Sequence, residues 1–267
     1  MIVVPMRLVV AGETFLDGPD LAPTAFYRKL RDTSEAPTTS APAPGGFLDA
    51  FRTAAREAST VLCLTVSPKF SSTYDSAREA VREAKQALPN VGIALLDTES
   101  AAGGEGLVAM AAWRAAQGGA SLEDVLAVAE AVVRRVALLA FPDTLYYVWK
   151  SGRVPRIAYA GTSLLQIKPI LELRRGEIRT PARPRTRPRA VQQMLELMRA
   201  AAGPGPLHAA VMHADVPEEA ESLKRRVESE FACAELFVSE FSPVMGAHTG
   251  PGLLGVAFWT EGDQPMC

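Results

Sequence analysis

The run TVLCLTV, residues 60–66, constrains the fold more than any other stretch of the chain. A continuous apolar run without polar alternation marks a strand covered on both faces, as in a parallel sheet. It leads into a polar loop, SPKFSSTYDSA (67–77), and an Ala-rich amphipathic helix is predicted over 73–87. A second buried strand, VGIALLD (91–97), and a helix through 105–116 follow. Strand, polar loop and helix in repetition predict an α/β unit with its site loops at the C-terminal ends of the strands.

On the N-terminal side, IVVPMRLVVAG (2–12) reads as a strand, followed by a turn at Asp17-Gly18-Pro19 and a helix over 23–32. The loop APTTSAPAPGG (36–46) delivers the chain to a helix over 47–58, where Phe47, Leu48, Phe51 and Ala55 keep helical spacing. The second half reads differently. Strands are expected at 137–142, 164–173, 207–215, 234–243 and 253–259, with helices at 143–151, 188–202 and 217–231. That order suggests an α+β unit whose sheet is at least partly antiparallel. A chain of 267 residues is long enough for two domains. The expected division is an N-terminal α/β domain over 1–136 and a C-terminal α+β domain over 137–267.

The composition is 48% hydrophobic and 22% charged, with a net charge of -2, so no global attraction to nucleic acid or acidic membrane is expected. No apolar run reaches the roughly 18 residues of a membrane span. Cys63, Cys233 and Cys267 have neither metal-ligand spacing nor a complete disulfide framework. A reducing cytoplasm is the expected home. There is no G-x-S-x-G elbow, no Walker loop and no G-x-G-x-x-G after a strand, and GGEG (103–106) is too short to substitute for one.

Three polar loops and one basic segment remain. Ser71, Ser72, Thr73 and Tyr74 crowd the start of a helix, where free N–H groups and the helix dipole favour an anion. One hydroxyl suffices for a cap, so the cluster reads either as an anion site or as a cap with surplus hydroxyls. PTTSAPAP (37–44) suits a plain loop. GAHTGPG (246–252) carries His248 among three glycines that permit sharp turning or close approach. The segment RRGEIRTPARPRTRPRA (174–190) holds seven arginines. As an extended strand it would send Arg183, Arg185, Arg187 and Arg189 alternately to its two faces. From composition and spacing alone, an anion-binding two-domain α/β protein is as far as the residues reach.

Taken together, the motifs resemble the DegV family of bacterial fatty-acid-binding proteins. PTTSAPAP is similar to the family's P-T-T-S-Q-P-S-P, and SPKFSSTYDSA to its S-S-x-L-S-G-T-Y-Q-S-A. LLDTESAAGGEGL (95–107), TLYYVWKSGRV (144–154), SLLQIKPILELRRGEI (163–178), RPRTRPRA (183–190), LHAAVMHADVPEEAESL (207–223) and VMGAHTGPGLLGVAF (244–258) follow in family order.

The resemblance implies two α/β domains with a long-chain fatty acid in an apolar tunnel between them. Matched residue by residue, Thr39 and Ser71 would hydrogen-bond its carboxylate, amides near Ser72 and Thr73 would add donors, and His248 would close over the head group. Arg185 would face a phosphate or a docking partner. Some family members present the lipid to the ATP-binding subunit of bacterial fatty acid kinase, so the chain is expected to carry and not to catalyse. It needs no cofactor or metal, binds no nucleic acid and makes no stable membrane insertion. Other readings are a lipid sensor or store without phosphorylation, and a hydrolase using Ser71 with His248, which lacks an acidic orienter. The chain departs from the family pattern at Ala41, Ala43, Ser72 and Asp75. Family members also open with a strand and a D-S-x-x-D-L turn ahead of the segment that begins here at Met1, and the expectation is a natural start upstream.

Overall fold

The structure is a computed structural model that describes residues 1–33, 35–154 and 167–262. In chain order, β1 (Arg7–Val10) and β2 (Glu13–Leu16) precede α1 (Pro23–Asp32), β3 (Thr38–Ser40) and α2 (Pro44–Ala54). Next come β4 (Thr60–Thr65), α3 (Thr73–Ala87), β5 (Gly92–Asp97), α4 (Gly103–Gln117) and α5 (Leu122–Val133). The second half holds β6 (Ala137–Phe141), α6 (Tyr146–Ser151), β7 (Ile170–Arg174), β8 (Glu177–Ala182) and α7 (Arg187–Ala201). It ends with β9 (Leu207–His213), α8 (Pro217–Glu230), β10 (Cys233–Glu240), α9 (Pro243–Thr249) and β11 (Leu254–Thr260).

The two apolar runs pair as expected. β4 and β5 lie parallel, with Cys63 opposite Leu95, and α3 packs behind them on Ala77, Ala80 and Ala84. Small alanines on that face let the helix approach the strands closely while Phe47, Leu48 and Phe51 of α2 fill the space beside it. In the second half a six-stranded sheet runs in the order β10-β9-β11-β6-β7-β8. Only β10 and β9 are parallel, the remaining pairs being antiparallel, so the sheet is mixed. β6 and β9 are buried at every position, which explains why their sequences do not alternate. The fold is therefore mixed α/β, parallel in one region and mixed in the other.

A third sheet was not expected. β1 lies antiparallel between β2 and β3 in the order β2-β1-β3. Residues 2–6 of the anticipated strand are outside it, and Ala11 and Gly12 take positive φ to turn the hairpin. PTTSAPAP is not a plain loop: Thr38–Ser40 form β3, and Pro44 begins α2 three residues earlier than expected. Proline suits a first helical turn, where its missing N–H would have no partner anyway. GAHTGPG is likewise not a simple glycine loop, because Pro243–Thr249 form α9 and only Gly250 and Gly252 take positive φ.

The arginine segment is corrected too. It is extended only through Ala182, and Arg187 already belongs to α7, capped by the Thr186 hydroxyl, which accepts from Arg189 N. The alternation of Arg183, Arg185, Arg187 and Arg189 between two faces therefore fails. Residues 164–166 of the expected strand at 164–173 lie outside the described residues.

Buried side chains from both halves form one apolar cluster, in which Leu8, Phe26 and Val108 join Leu138, Met212 and Ala257. Beside it opens the cavity described next.

Candidate functional site

A cavity of about 1340 Å³ lies among β3, β4, α4, α9 and the β7–β8 hairpin. That exceeds the usual range of roughly 300–1,000 Å³ for a small-molecule site. Its apolar wall includes Leu62, Leu64, Phe70, Leu138, Leu173 and Phe241. Thr39, Ser71, Ser72, Thr73 and His248 all line it. Arg185 is exposed on the loop before α7 and is not part of the lining.

Thr39 is the middle residue of β3, held opposite Leu8 of β1. Its Oγ1 is 2.8 Å from His248 Nε2, a hydrogen bond between residues 209 positions apart. His248 occupies the last turn of α9. Burial, reinforced by the Arg153 cation, pushes its imidazole down to about 4, so it is neutral at pH 7. A neutral imidazole has one N–H and one acceptor nitrogen. If Thr39 donates to Nε2, the Nδ1–H stays free; if Nε2–H donates, the threonine O–H stays free. Either way the pair retains one donor.

The hydroxyl cluster obeys the same arithmetic. Ser71 Oγ accepts from Thr73 N at 3.3 Å and lies 2.7 Å from Thr73 Oγ1. Two hydroxyls that share one bond leave one O–H available. Thr73 is buried at the first position of α3, whereas Ser72 is exposed and its side chain makes no capping bond. Tyr74 is absent from the cavity wall. Asp75, one of the departures from the family pattern, pairs with Arg78 at 2.7 Å on the outer face of α3, away from the cavity lining.

Four cavity residues escaped the reading of the sequence. Arg153 follows Gly152, whose left-handed conformation ends α6. Asp17, read only as part of a turn, accepts hydrogen bonds from Ser242 and Val244 at the start of α9. Cys63 is buried in β4, and burial beside Glu105 pushes its thiol up to about 12. Glu105 lies in the first turn of α4, and burial, followed by the nearby Asp97 charge, pushes its carboxyl up to about 7. The GGEG stretch thus matters for its glutamate and not as a phosphate loop. Its glycines serve packing: a Cβ on Gly104 would fall 2.1 Å from Ser100 Oγ.

Among the described residues no group of three or more His, Cys, Asp or Glu side chains is arranged to hold a metal ion. No helix among them is long and apolar enough to cross a membrane. What the arrangement offers is a set of neutral donors beside a large apolar chamber, which suits a ligand with an acceptor head and a hydrocarbon body.

A family model described as "Uncharacterised protein, DegV family" matches residues 1–261. The chain belongs to the DegV family. A DegV domain-containing protein of Streptomyces coelicolor is 32% identical over 255 residues, covering 95% of this chain and 89% of that protein. Among solved structures, a DegV family protein from Thermus thermophilus, described by its fatty acid binding, aligns with a TM-score of 0.87 at 31% identity. That alignment covers 96% of this chain and 91% of the other. DegV from Bacillus subtilis, described as a fatty acid binding protein, aligns at 0.85 and 27% identity, covering 97% and 91%. This DegV chain therefore shares its fold with relatives that bind fatty acids.

Proposed function

We propose that this DegV family member binds a long-chain fatty acid in the 1340 Å³ cavity, with the carboxylate held by Thr39, Ser71 and His248. The backbone amide of Ser72 adds a donor before the start of α3, whereas that of Thr73 is free to add one only if it leaves Ser71 Oγ. The observation that carries the reading is that the Thr39–His248 and Ser71–Thr73 pairs, each with one donor left over, open on the same apolar chamber. A carboxylate accepts only, and its two oxygens match two spare donors. Arg153, which lines the cavity and whose charge acts on His248, compensates the carboxylate's charge. The apolar wall contributes most of the affinity. Each buried methylene is worth about 0.8 kcal/mol, so some fifteen give on the order of 12 kcal/mol before ordering costs.

The chain divides into units 1–136 and 137–267, with the ligand between them. It presents the carboxylate to a separate fatty acid kinase, which supplies ATP and forms the acyl phosphate. Arg185, exposed beside α7, faces that partner or the phosphate. The chain itself is a carrier working in the cytoplasm and needs no cofactor.

Calorimetric titration of the delipidated protein with octadecanoic acid tests the head-group assignment. Ser71→Ala weakens binding by roughly 1–3 kcal/mol, the scale of a hydrogen bond to a charged group, while Arg185→Ala leaves the affinity unchanged and lowers kinase-dependent phosphorylation. An unchanged affinity in Ser71→Ala places the carboxylate elsewhere.

A further inference from the structure

α9 is seven residues long and carries His248, yet its own N-cap residue does not cap it. Ser242 donates its hydroxyl to Asp17 Oδ2 at 2.7 Å instead, and Val244 N donates to Asp17 Oδ1 at 3.2 Å. The helix cap is supplied by a residue 225 positions away, from the end of β2.

The opposite strand of the same small sheet, β3, carries Thr39, which binds His248 in the last turn of α9. One rigid sheet thus holds α9 near both ends. The dimensions agree. β2 and β3 flank β1, so they are about 9.6 Å apart at strand spacing, and a seven-residue helix is about 10.5 Å long. Val244 and His248 are four residues apart, one turn along the same helical face. A bond that fixes Val244 therefore fixes the direction in which His248 leaves the helix.

We propose that Asp17 is a positioning residue that, by capping α9, aims His248 at Thr39 and so sets the head-group site. This deepens the fatty-acid reading and rests on it for its effect on affinity. Asp17 need not touch the ligand to act. Its carboxylate orders the first turn of α9, and the β2-β1-β3 sheet transmits that order to the histidine.

The test combines octadecanoic acid titration with NMR titration of the His248 imidazole in the full chain. Asp17→Ala weakens binding roughly tenfold, the scale of a lost helix cap, and in a His248→Ala background it costs nothing further. Without ligand, the His248 midpoint in Asp17→Ala climbs from about 4 towards its ordinary 6.5 as the ring leaves its buried place. Asp17→Asn, whose amide oxygen still accepts from Val244 N, stays within about threefold of the parent and keeps the low midpoint. Should Asp17→Ala fail to fold, Ser242→Ala gives a smaller rise of the midpoint in the same direction.

An unmoved midpoint in Asp17→Ala and Ser242→Ala overturns the proposal. So does a full Asp17→Ala penalty in the His248→Ala background, or an Asn variant as impaired as Ala. If the parent protein, freed of any co-purified lipid, binds no octadecanoic acid, the fatty-acid reading fails, and the midpoint alone still decides the role of Asp17.

Discussion

Glu105→Gln stabilises the protein by about 2 kcal/mol at pH 8 and leaves its stability at pH 4 nearly unchanged. The Glu105 carboxyl lines an apolar cavity, has no hydrogen bond or ion pair among the described residues, and feels the like charge of Asp97. Its native value near 7 stands above the ordinary 4.5 of the unfolded chain. Below pH 4.5 both states are protonated and the group costs nothing. As pH rises from 4.5 through 7, the unfolded chain ionises freely while the native chain resists, and stability falls. The full shift corresponds to about 3.4 kcal/mol, which partial exposure to the cavity reduces. Glutamine keeps the shape and removes the ionisation. Urea unfolding at the two pH values measures the difference; equal changes at both would refute a titrating carboxyl.

Gly246→Val costs about 3 kcal/mol and weakens fatty acid binding with it. A Cβ at this position would stand 2.7 Å from Phe26 Cε1 and 2.7 Å from Tyr27 Oη, both side chains fully buried. Such rings cannot yield without moving α1, and overpacking of this kind costs about 1–3 kcal/mol. Replacing a helical glycine by alanine ordinarily returns about 1 kcal/mol, but valine is a poorer helix former and adds two methyl groups to the clash. The steric term wins. The displaced helix carries His248, so affinity falls together with stability. A Gly246→Val protein of parental stability in denaturant would show that α9 does not pack on α1 as described.

These glycine contacts explain what was legible in the sequence and what was not. β4 and β5 could be read because both faces of the parallel pair meet apolar surroundings, the α2–α3 cluster on one side and the cavity wall with the larger cluster on the other, so apolar residues run on without alternation. α3 could be read because its buried alanines recur at helical spacing. α9 could not, since Gly246 and Gly250 look like loop signals while the constraint on Gly246 comes from Tyr27, more than two hundred residues away. β2 and β3 are four- and three-residue strands whose pairing with β1 leaves no period to detect.

Within the site, Thr39, Ser71 and His248 were reached through motif resemblance, and composition alone had left each of them open. The Thr39–His248 bond is beyond local pattern altogether, because it depends on where β3 and α9 meet. Asp17 was hidden for the same reason. A carboxylate beside Gly18 and Pro19 has every local mark of a turn, and its partners Ser242 and Val244 belong to the other end of the chain. Arg183 to Arg189 differ in kind: the alternating arginines fit a strand, but Pro188 and the Thr186 cap start a helix there.

The occupant of the cavity can be read from the mass of the intact protein. Protein purified under native conditions is weighed intact by native mass spectrometry, and its lipid extract is analysed in parallel. A ligand stabilised by some fifteen buried methylenes dissociates too slowly to be lost on a column. The expected species is heavier than the bare chain by one long-chain fatty acid, with the same acid in the extract. Bare chain alone, unable to take up added octadecanoic acid, would contradict it.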